Sequence, residues 1–465
     1  MTELHPLDAG FIELEDSDRH ISLGIGAAAI ISGPPPTRSE FIAGVAERLR
    51  DNVRLRQKLR RTPLDLTTPI WEEDSNFDLA HHIRWIALPD PADDAALFEM
   101  VAAELAQRLD RDHPLWQCIV VDHLTDDRWA VFVKAHHSLV DGVSGVTMFE
   151  SFCDPVEGRS ESNRPEGVDG DHPSVDWLAM AMKGIRMPFE LPGHALGVVR
   201  GLIPVAAAAV SPTAGSSLNG SIGQQRRYLA ARASLTDVRE IGKSFDVTVN
   251  DVVLAAVAAA YRGLLLQRGE HPAADMLRIL VPVSMRAAHA KFVLDNRVSA
   301  VLPMLPIHLG DPAERLALIH ERMTKHKSKG EAQAEKSMIA MAEWLPFATV
   351  AWSLRLLSRL PQRGVTALAT NIPGPRDILM VQGRRVLELL PAVPIAMRLR
   401  TGIAILSYGD QLNFGITGDY DTTPDLQLLA DGIHSGIAEL LAAARKLPDS
   451  GIAETIPLLP RVPSR

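Results

Sequence analysis

The sequence predicts an α/β protein with mixed sheets, arranged in two domains. Strand-like and helix-like stretches alternate along the whole chain. The 465 residues exceed what one hydrophobic core usually supports. A polar, Gly- and Pro-rich stretch near the middle separates two halves of the same mixed style.

In the first half, Ile21 to Ile31 is apolar, rich in small and β-branched residues, and reads as a strand. Arg38 to Leu49 reads as a helix with Phe41, Val45 and Leu49 on one stripe. His81 to Ala87 reads as a short strand. Ala95 to Leu109 reads as an amphipathic helix, because Leu97, Met100, Val101, Leu105 and Leu109 share a face. Ile119 to Asp122 and Trp129 to Lys134 read as strands, and Ser144 to Phe152 begins a helix.

Asp154 to Asp176 is rich in Glu, Gly, Ser, Pro and Asp and reads as a surface linker. Apolar helices are expected from Trp177 to Val210, then a Gly/Ser loop to Gly223. Helices follow at Leu235 to Phe245 and at Val249 to Gln267, where Asn250 suits a cap. Strands are expected at Leu277 to Val283, Val298 to Leu305, Val365 to Asn371 and Val386 to Leu390. Gly402 to Tyr408 and Gln411 to Thr417, joined by Gly409 and Asp410, read as a tight hairpin. Helices are expected at Pro312 to Lys327 and at Pro424 to Arg445. The expected division is a domain at 1–153, a linker and crossover at 154–223, and a domain at 224–465.

Composition narrows the function classes. Hydrophobic residues make up 46% and charged residues 23%, as in ordinary folded proteins. The net charge of −9 argues against nucleic acid as a partner, since phosphates need a basic face. The short basic runs at Arg54 to Arg61 and Arg226 to Arg227 read as solvated faces. Two cysteines, Cys118 and Cys153, read as reduced thiols of a cytosolic protein. The start, Met1 to Leu14, does not read as a secretory signal. The most apolar stretch, Ala195 to Val210, is interrupted by Gly197, Arg200, Gly201 and Pro204 and falls short of ~20 apolar residues. Contact with a bilayer is therefore expected to be peripheral.

The informative motif lies between Trp129 and Gly142. A buried strand delivers His136 and His137 to its end, and a turn with Asp141 and Gly142 leads into a helix. Strand ends are where α/β proteins present reactive groups. A neutral histidine there can take a proton near pH 7. Gly142 leaves room for close approach, and Asp141 needs a partner if buried. On an alternating strand His136 points away from His137 and reads as a packed residue. Adjacent histidines also diverge too far for one metal ion, and no third ligand is near, so no metal is expected.

The pattern His-His-x-x-x-Asp-Gly resembles the signature of the coenzyme A-dependent acyltransferase superfamily. Further blocks are similar to the bacterial wax ester synthase/diacylglycerol acyltransferase family: Leu7 to Ala9, Trp71 to His82, Pro114-Leu115-Trp116 and Leu218 to Gly220. Asn250-Asp251, Pro282 to Arg286, Asn371 to Pro375, Leu406 to Tyr408 and Leu412 to Gly415 continue the resemblance in the family's order. The chain departs from it at Asp295-Asn296, where Gly-Asn is usual, and at Arg398 and Arg400, where glycines are commoner.

The resemblance implies two chloramphenicol acetyltransferase-like domains with the active-site channel at their interface. It implies acyl transfer from acyl-coenzyme A to diacylglycerol, with long-chain alcohols as further acceptors. His137 would be the general base, without an acyl-enzyme. No cofactor is implied, because acyl-coenzyme A is a substrate. Asn250 would donate to the oxyanion unless it only caps a helix, and Arg286 would pair with Asp141. Asn371 and Asp251 are substrate-side candidates, although Asn371 also suits a turn. Pro114, Leu115 and Trp116 either bind substrate or pack the core. The implied location is cytoplasmic, at a membrane or lipid-droplet surface. Trp344 to Leu360 is the candidate interfacial helix, and Gly193 to Val210 a second. Two rivals stay open: a condensation-type transferase using a carrier-bound thioester, and an idle lipid-binding protein of the same fold.

Overall fold

The computed structural model describes residues 2–4, 6–50, 52–61, 68–140, 142–155, 212–284, 298–325 and 362–447. The linker helices expected within 156–211, the helix expected at Trp344 to Leu360, and Arg286, Asp295 and Asn296 lie outside these residues.

The elements of the first half are β1 (Thr2–Glu3), α1 (Pro6–Ser17), β2 (Gly24–Ser32), α2 (Arg38–Arg48), β3 (Gln57–Arg60) and β4 (Ile70–Glu73). They continue with α3 (Leu79–His82), β5 (Ile83–Ile86), α4 (Asp94–Ala106), β6 (Trp116–Leu124), β7 (Arg128–His136) and α5 (Gly142–Glu150). The second half has β8 (Arg226–Ser234), α6 (Leu235–Phe245), α7 (Val249–Gln267), β9 (Ile279–Ser284), β10 (Val298–Val301) and α8 (312–325). It ends with β11 (Ala367–Ile372), β12 (Met380–Val381), β13 (Arg384–Ala392), β14 (Thr401–Tyr408), β15 (Gln411–Asp419) and α9 (Gln427–Ala444).

Two six-stranded mixed sheets form the frame, in the orders β12-β13-β2-β7-β6-β5 and β10-β9-β11-β14-β15-β8. Strands β1, β4 and β3 make a small third sheet. The halves of the chain are not the units of the sheets. Strand β13, from the second half, pairs antiparallel with β2, placing Leu389 opposite Ala29. The first sheet thus draws β13 from beyond the expected boundary at 153. The physical reason is an edge that would otherwise be open: β2 is apolar on both faces, and β13 satisfies its free backbone groups. Asn413 of β15 donates from Nδ2 to the Leu389 carbonyl at 2.9 Å, tying the second sheet to the borrowed strand.

Strand β7 is buried from Trp129 to His136. Its alternation feeds two cores. Val131, Val133 and Ala135 face one cluster with Ile12 of α1, Phe41 of α2 and Phe149 of α5. Ala130 and Phe132 face another with Leu97, Val101 and Leu105 of α4. Each fully buried large apolar side chain contributes about 1.5–3 kcal/mol. The second sheet buries α7 against α6 and α9 in a third cluster. Gly432 permits that contact, because a Cβ there would lie 2.6 Å from Ala260 Cα.

Helix α7 has the length and apolar character of a membrane span, but 67% of its apolar window is buried. Its greasy faces are consumed by the protein core. Helices α6 and α7 have the bounds expected from sequence. The cap of α7 is Thr248, whose Oγ1 accepts from Asp251 N at 3.3 Å, and not Asn250. The expected strand at His81 begins at Ile83 instead, because Asp78 accepts from Ala80 N at 2.9 Å and starts a helical turn. The strand expected to reach Leu305 ends at Val301. Pro303 has no N–H for the ladder.

Candidate active site

Helix α1 begins at Pro6. Its acids then meet arginines from distant segments. Glu13, with no exposed side chain, pairs with Arg61 Nη2 at 2.7 Å. Glu15, 1% exposed, pairs with Arg111 Nη2 at 2.6 Å. Asp16 pairs with Arg111 Nη1 at 2.6 Å and also with Arg61. Four ion pairs to two arginines brace one short helix, so its inner face has a fixed place.

Strand β7 brings the two histidines to that face. His136 N donates to the Leu115 carbonyl at 2.9 Å, and His137 N donates to the Leu23 carbonyl at 3.0 Å. The side chains then part, as the alternation predicts. His136 is buried, whereas His137 is half-buried. The Ser138 N–H donates to His136 Nδ1 at 3.1 Å, so that nitrogen is the acceptor. The ring proton therefore sits on Nε2, which lies 3.7 Å from Glu15 Oε1.

Burial raises the Glu15 pKa. The His136 ring, Arg111 and the Leu23 N–H outweigh that effect and hold it down, to about 2. The carboxylate is thus a fixed charge behind the histidine pair. The imidazole of His137 stacks on Phe11 of α1, with ring centroids 4.1 Å apart and planes at 22°. Lys134, also on β7, is 1% exposed. Its ammonium donates to the Glu104 and Gln107 carbonyls at the end of α4. Burial pushes its pKa down to about 8, against the pull of Glu104 and Glu15.

Of the other expected site residues, Asn250 and Asn371 meet. Asn371 Nδ2 donates to Asn250 Oδ1 at 3.3 Å. Because Thr248 caps the helix, the side chain of Asn250 is available for this contact. Next to Asn371, Ile372 packs on the apolar cluster that contains Leu139 and Val140, in the turn after His137. The following loop fits closely: Gly374 N lies 3.2 Å from Ser407 Oγ, and a Cβ on Gly374 would meet the Ser407 carbonyl at 1.8 Å.

Asp251 is engaged elsewhere. Its Oδ2 accepts from Thr248 N at 3.0 Å and from Thr248 Oγ1 at 2.8 Å, and lies 2.9 Å from His320 Nδ1. The carboxylate finishes the cap of α7. Leu115 and Trp116 are 0% and 1% exposed. Trp116 donates from Nε1 to the Leu55 carbonyl at 2.7 Å and stacks on His82 with centroids 4.5 Å apart. The Pro114-Leu115-Trp116 segment therefore packs behind the site, and the Leu115 carbonyl fixes the His136 backbone.

Gly142 opens α5. Asp141 and Arg286 lie outside the described residues, and their expected pairing with them. Arg398 and Arg400 precede β14, which runs parallel to β11 with Gly402 opposite Leu368. They sit where β11 begins, roughly 15 Å along the strand from Asn371 at ~3.3 Å per residue. Among the described residues no three His, Cys, Asp or Glu side chains converge as metal ligands would.

The sequence reading missed Phe11, Glu15, Arg111 and His320. The signal for the first two was present: Phe11 and Glu15 are four residues apart, one above the other on a helix, beside an apolar stripe.

Comparison with known proteins places this geometry in a family. Residues 4–253 match the wax ester synthase/diacylglycerol acyltransferase catalytic domain, and residues 294–441 match the WS/DGAT C-terminal domain. A probable diacylglycerol O-acyltransferase of Mycobacterium tuberculosis is 44% identical, over 96% of this chain and 97% of its own length. The O-acyltransferase WSD of Acinetobacter baylyi is 28% identical, over 92% of this chain and 94% of its own. The solved wax ester synthase/diacylglycerol acyltransferase of Marinobacter aquaeolei superposes with a TM-score of 0.66 at 28% identity, covering 96% of this chain and 100% of that one. A condensation domain of rhizomide synthetase, at 13% identity and a TM-score of 0.60, shares the fold. With the paired histidines on a central strand, the borrowed β13 and relatives matched from end to end, the chain belongs to the wax ester synthase/diacylglycerol acyltransferase family of acyltransferases.

Proposed function

We propose that this protein moves a long-chain acyl group from acyl-coenzyme A to the free hydroxyl of diacylglycerol, with long-chain alcohols as a second acceptor and His137 as general base. The supporting observation is the division of labour in the histidine pair. His136 is buried between Ser138 and Glu15, while His137 is half-open at the end of β7.

Donor and acceptor meet in a channel between the two sheets. His137 takes the hydroxyl proton as the oxygen attacks the thioester carbonyl carbon. The C–O bond forms and the carbonyl becomes a tetrahedral oxyanion. The C–S bond then breaks, and the imidazolium returns its proton to the coenzyme A sulfur. Asn250 is the side-chain donor to the oxyanion. With its Oδ1 engaged by Asn371, its Nδ2 hydrogens are the ones left to donate. Proton transfer and displacement need no cofactor.

The acceptor lives in a lipid phase, so the enzyme works from the cytoplasm as a peripheral protein on a membrane or lipid-droplet surface. The net charge of −9 favours apolar contact over attraction to anionic lipid, and argues against nucleic-acid partners. The test is transfer from labelled palmitoyl-coenzyme A by wild type and His137→Ala, with diacylglycerol and hexadecanol offered separately. Triacylglycerol from wild type and none from the variant is expected. A faster reaction with hexadecanol would make the protein chiefly a wax ester synthase. Failure of folded wild type with both acceptors would replace this reading with a carrier-dependent or idle one.

A further inference from the structure

We infer that Phe11 is a positioning residue for the acyl transfer: its ring holds the imidazole of His137 in a single plane and favours the imidazolium that forms as the base takes its proton. The inference rests on the reading of His137 as general base.

A histidine at a strand end keeps a broad choice of ring orientation, because the torsion about its ring bond has shallow wells. In this protein that freedom is removed from one face. The Phe11 ring lies 4.1 Å from the imidazole at 22°, a stacked pair. Stacking positions a base only if the partner is itself fixed. Phe11 is fixed because α1 is braced by Glu13, Glu15 and Asp16 on Arg61 and Arg111. One helical face serves both histidines. Glu15 faces His136, and Phe11, four residues earlier, covers His137.

The face of an aromatic ring carries negative charge density, so it attracts a cation more than a neutral ring. His137 is neutral before the reaction and cationic at the tetrahedral stage. The contact with Phe11 therefore strengthens as the reaction proceeds, the property that raises turnover and not substrate affinity.

The test compares Phe11→Leu, Phe11→Met and Phe11→Tyr with wild type and His137→Ala, after thermal unfolding confirms each fold. Leucine and methionine keep the apolar volume but remove the aromatic face, and tyrosine retains it. For Phe11→Leu and Phe11→Met, kcat is expected to fall about 10-fold or more, with KM for both substrates within about twofold. The acid limb of the kcat profile should move about half a pH unit lower, because the imidazolium loses its aromatic neighbour. Those substitutions leave Asp8, Glu13, Glu15, Asp16, Lys134 and His136, the charged or titratable groups of α1 and the end of β7, in place. Phe11→Tyr is expected to restore both kcat and the profile. If His137→Ala is inactive while Phe11→Leu and Phe11→Met keep wild-type kcat and pH dependence, the positioning role is overturned alone. Phe11→Tyr as impaired as Phe11→Leu would also overturn it, reducing Phe11 to core packing. An active His137→Ala would overturn the general base and this inference together.

Discussion

Glu15 of α1 points its carboxylate at the back of the histidine pair, with Oε1 3.7 Å from His136 Nε2 and Oε2 2.6 Å from Arg111. The acid is buried, charged and shared among an imidazole, a guanidinium and the Leu23 N–H. It faces the Nε2 side of His136, whose tautomer the Ser138 N–H sets, and anchors the helix that carries Phe11.

This arrangement predicts a specific acid sensitivity. Folding lowers the Glu15 pKa from 4.5 to about 2, so its stabilisation is present above pH 4.5 and is lost as the pH falls towards 2. A shift of that size is worth about 3 kcal/mol at the upper end of the window. Glu15→Gln should lower the melting temperature at pH 7 and flatten the dependence of stability on pH between 4.5 and 2. Denaturant unfolding at several pH values checks it. Equal slopes for variant and wild type would contradict the assignment.

The Asn250–Asn371 contact predicts coupled kinetics. Asn250→Ala should lower kcat by about 10²–10³-fold, the usual effect of losing one oxyanion donor. Asn371→Ala should cost less, since it acts by orienting Asn250. The double variant should fall short of the product of the two losses. A multiplicative double variant would mean that the asparagines act independently.

Trp116 tests whether the Pro-Leu-Trp segment binds substrate or backs the site. Trp116→Phe removes the bond to the Leu55 carbonyl and weakens the stack on His82. Stability should fall by about 1–3 kcal/mol, while KM for acyl-coenzyme A stays within about twofold. Urea unfolding and steady-state kinetics report the two separately. A large rise in KM without loss of stability would return Trp116 to the substrate.

The sequence by itself determined the family, the mixed α/β style, the histidine pair on a central strand, and the long helices. These are local matters. Apolar spacing marks a helix such as α7, and seven adjacent positions spell the motif from His136 to Gly142. Asn250 and Asn371 were both legible as candidates, but their contact was not, because 121 residues separate them. The tertiary structure alone decided that β13 completes the first sheet, that Asp251 caps α7 with His320, and that Trp116 lies in the core. It also decided that α1 presents Phe11 and Glu15 to the two histidines. Each of these depends on long-range pairing or burial. A strand's sequence states which of its faces is apolar, but not which edge it will join. A buried carboxylate can be recognised only when its partners, distant in the chain, have been brought around it.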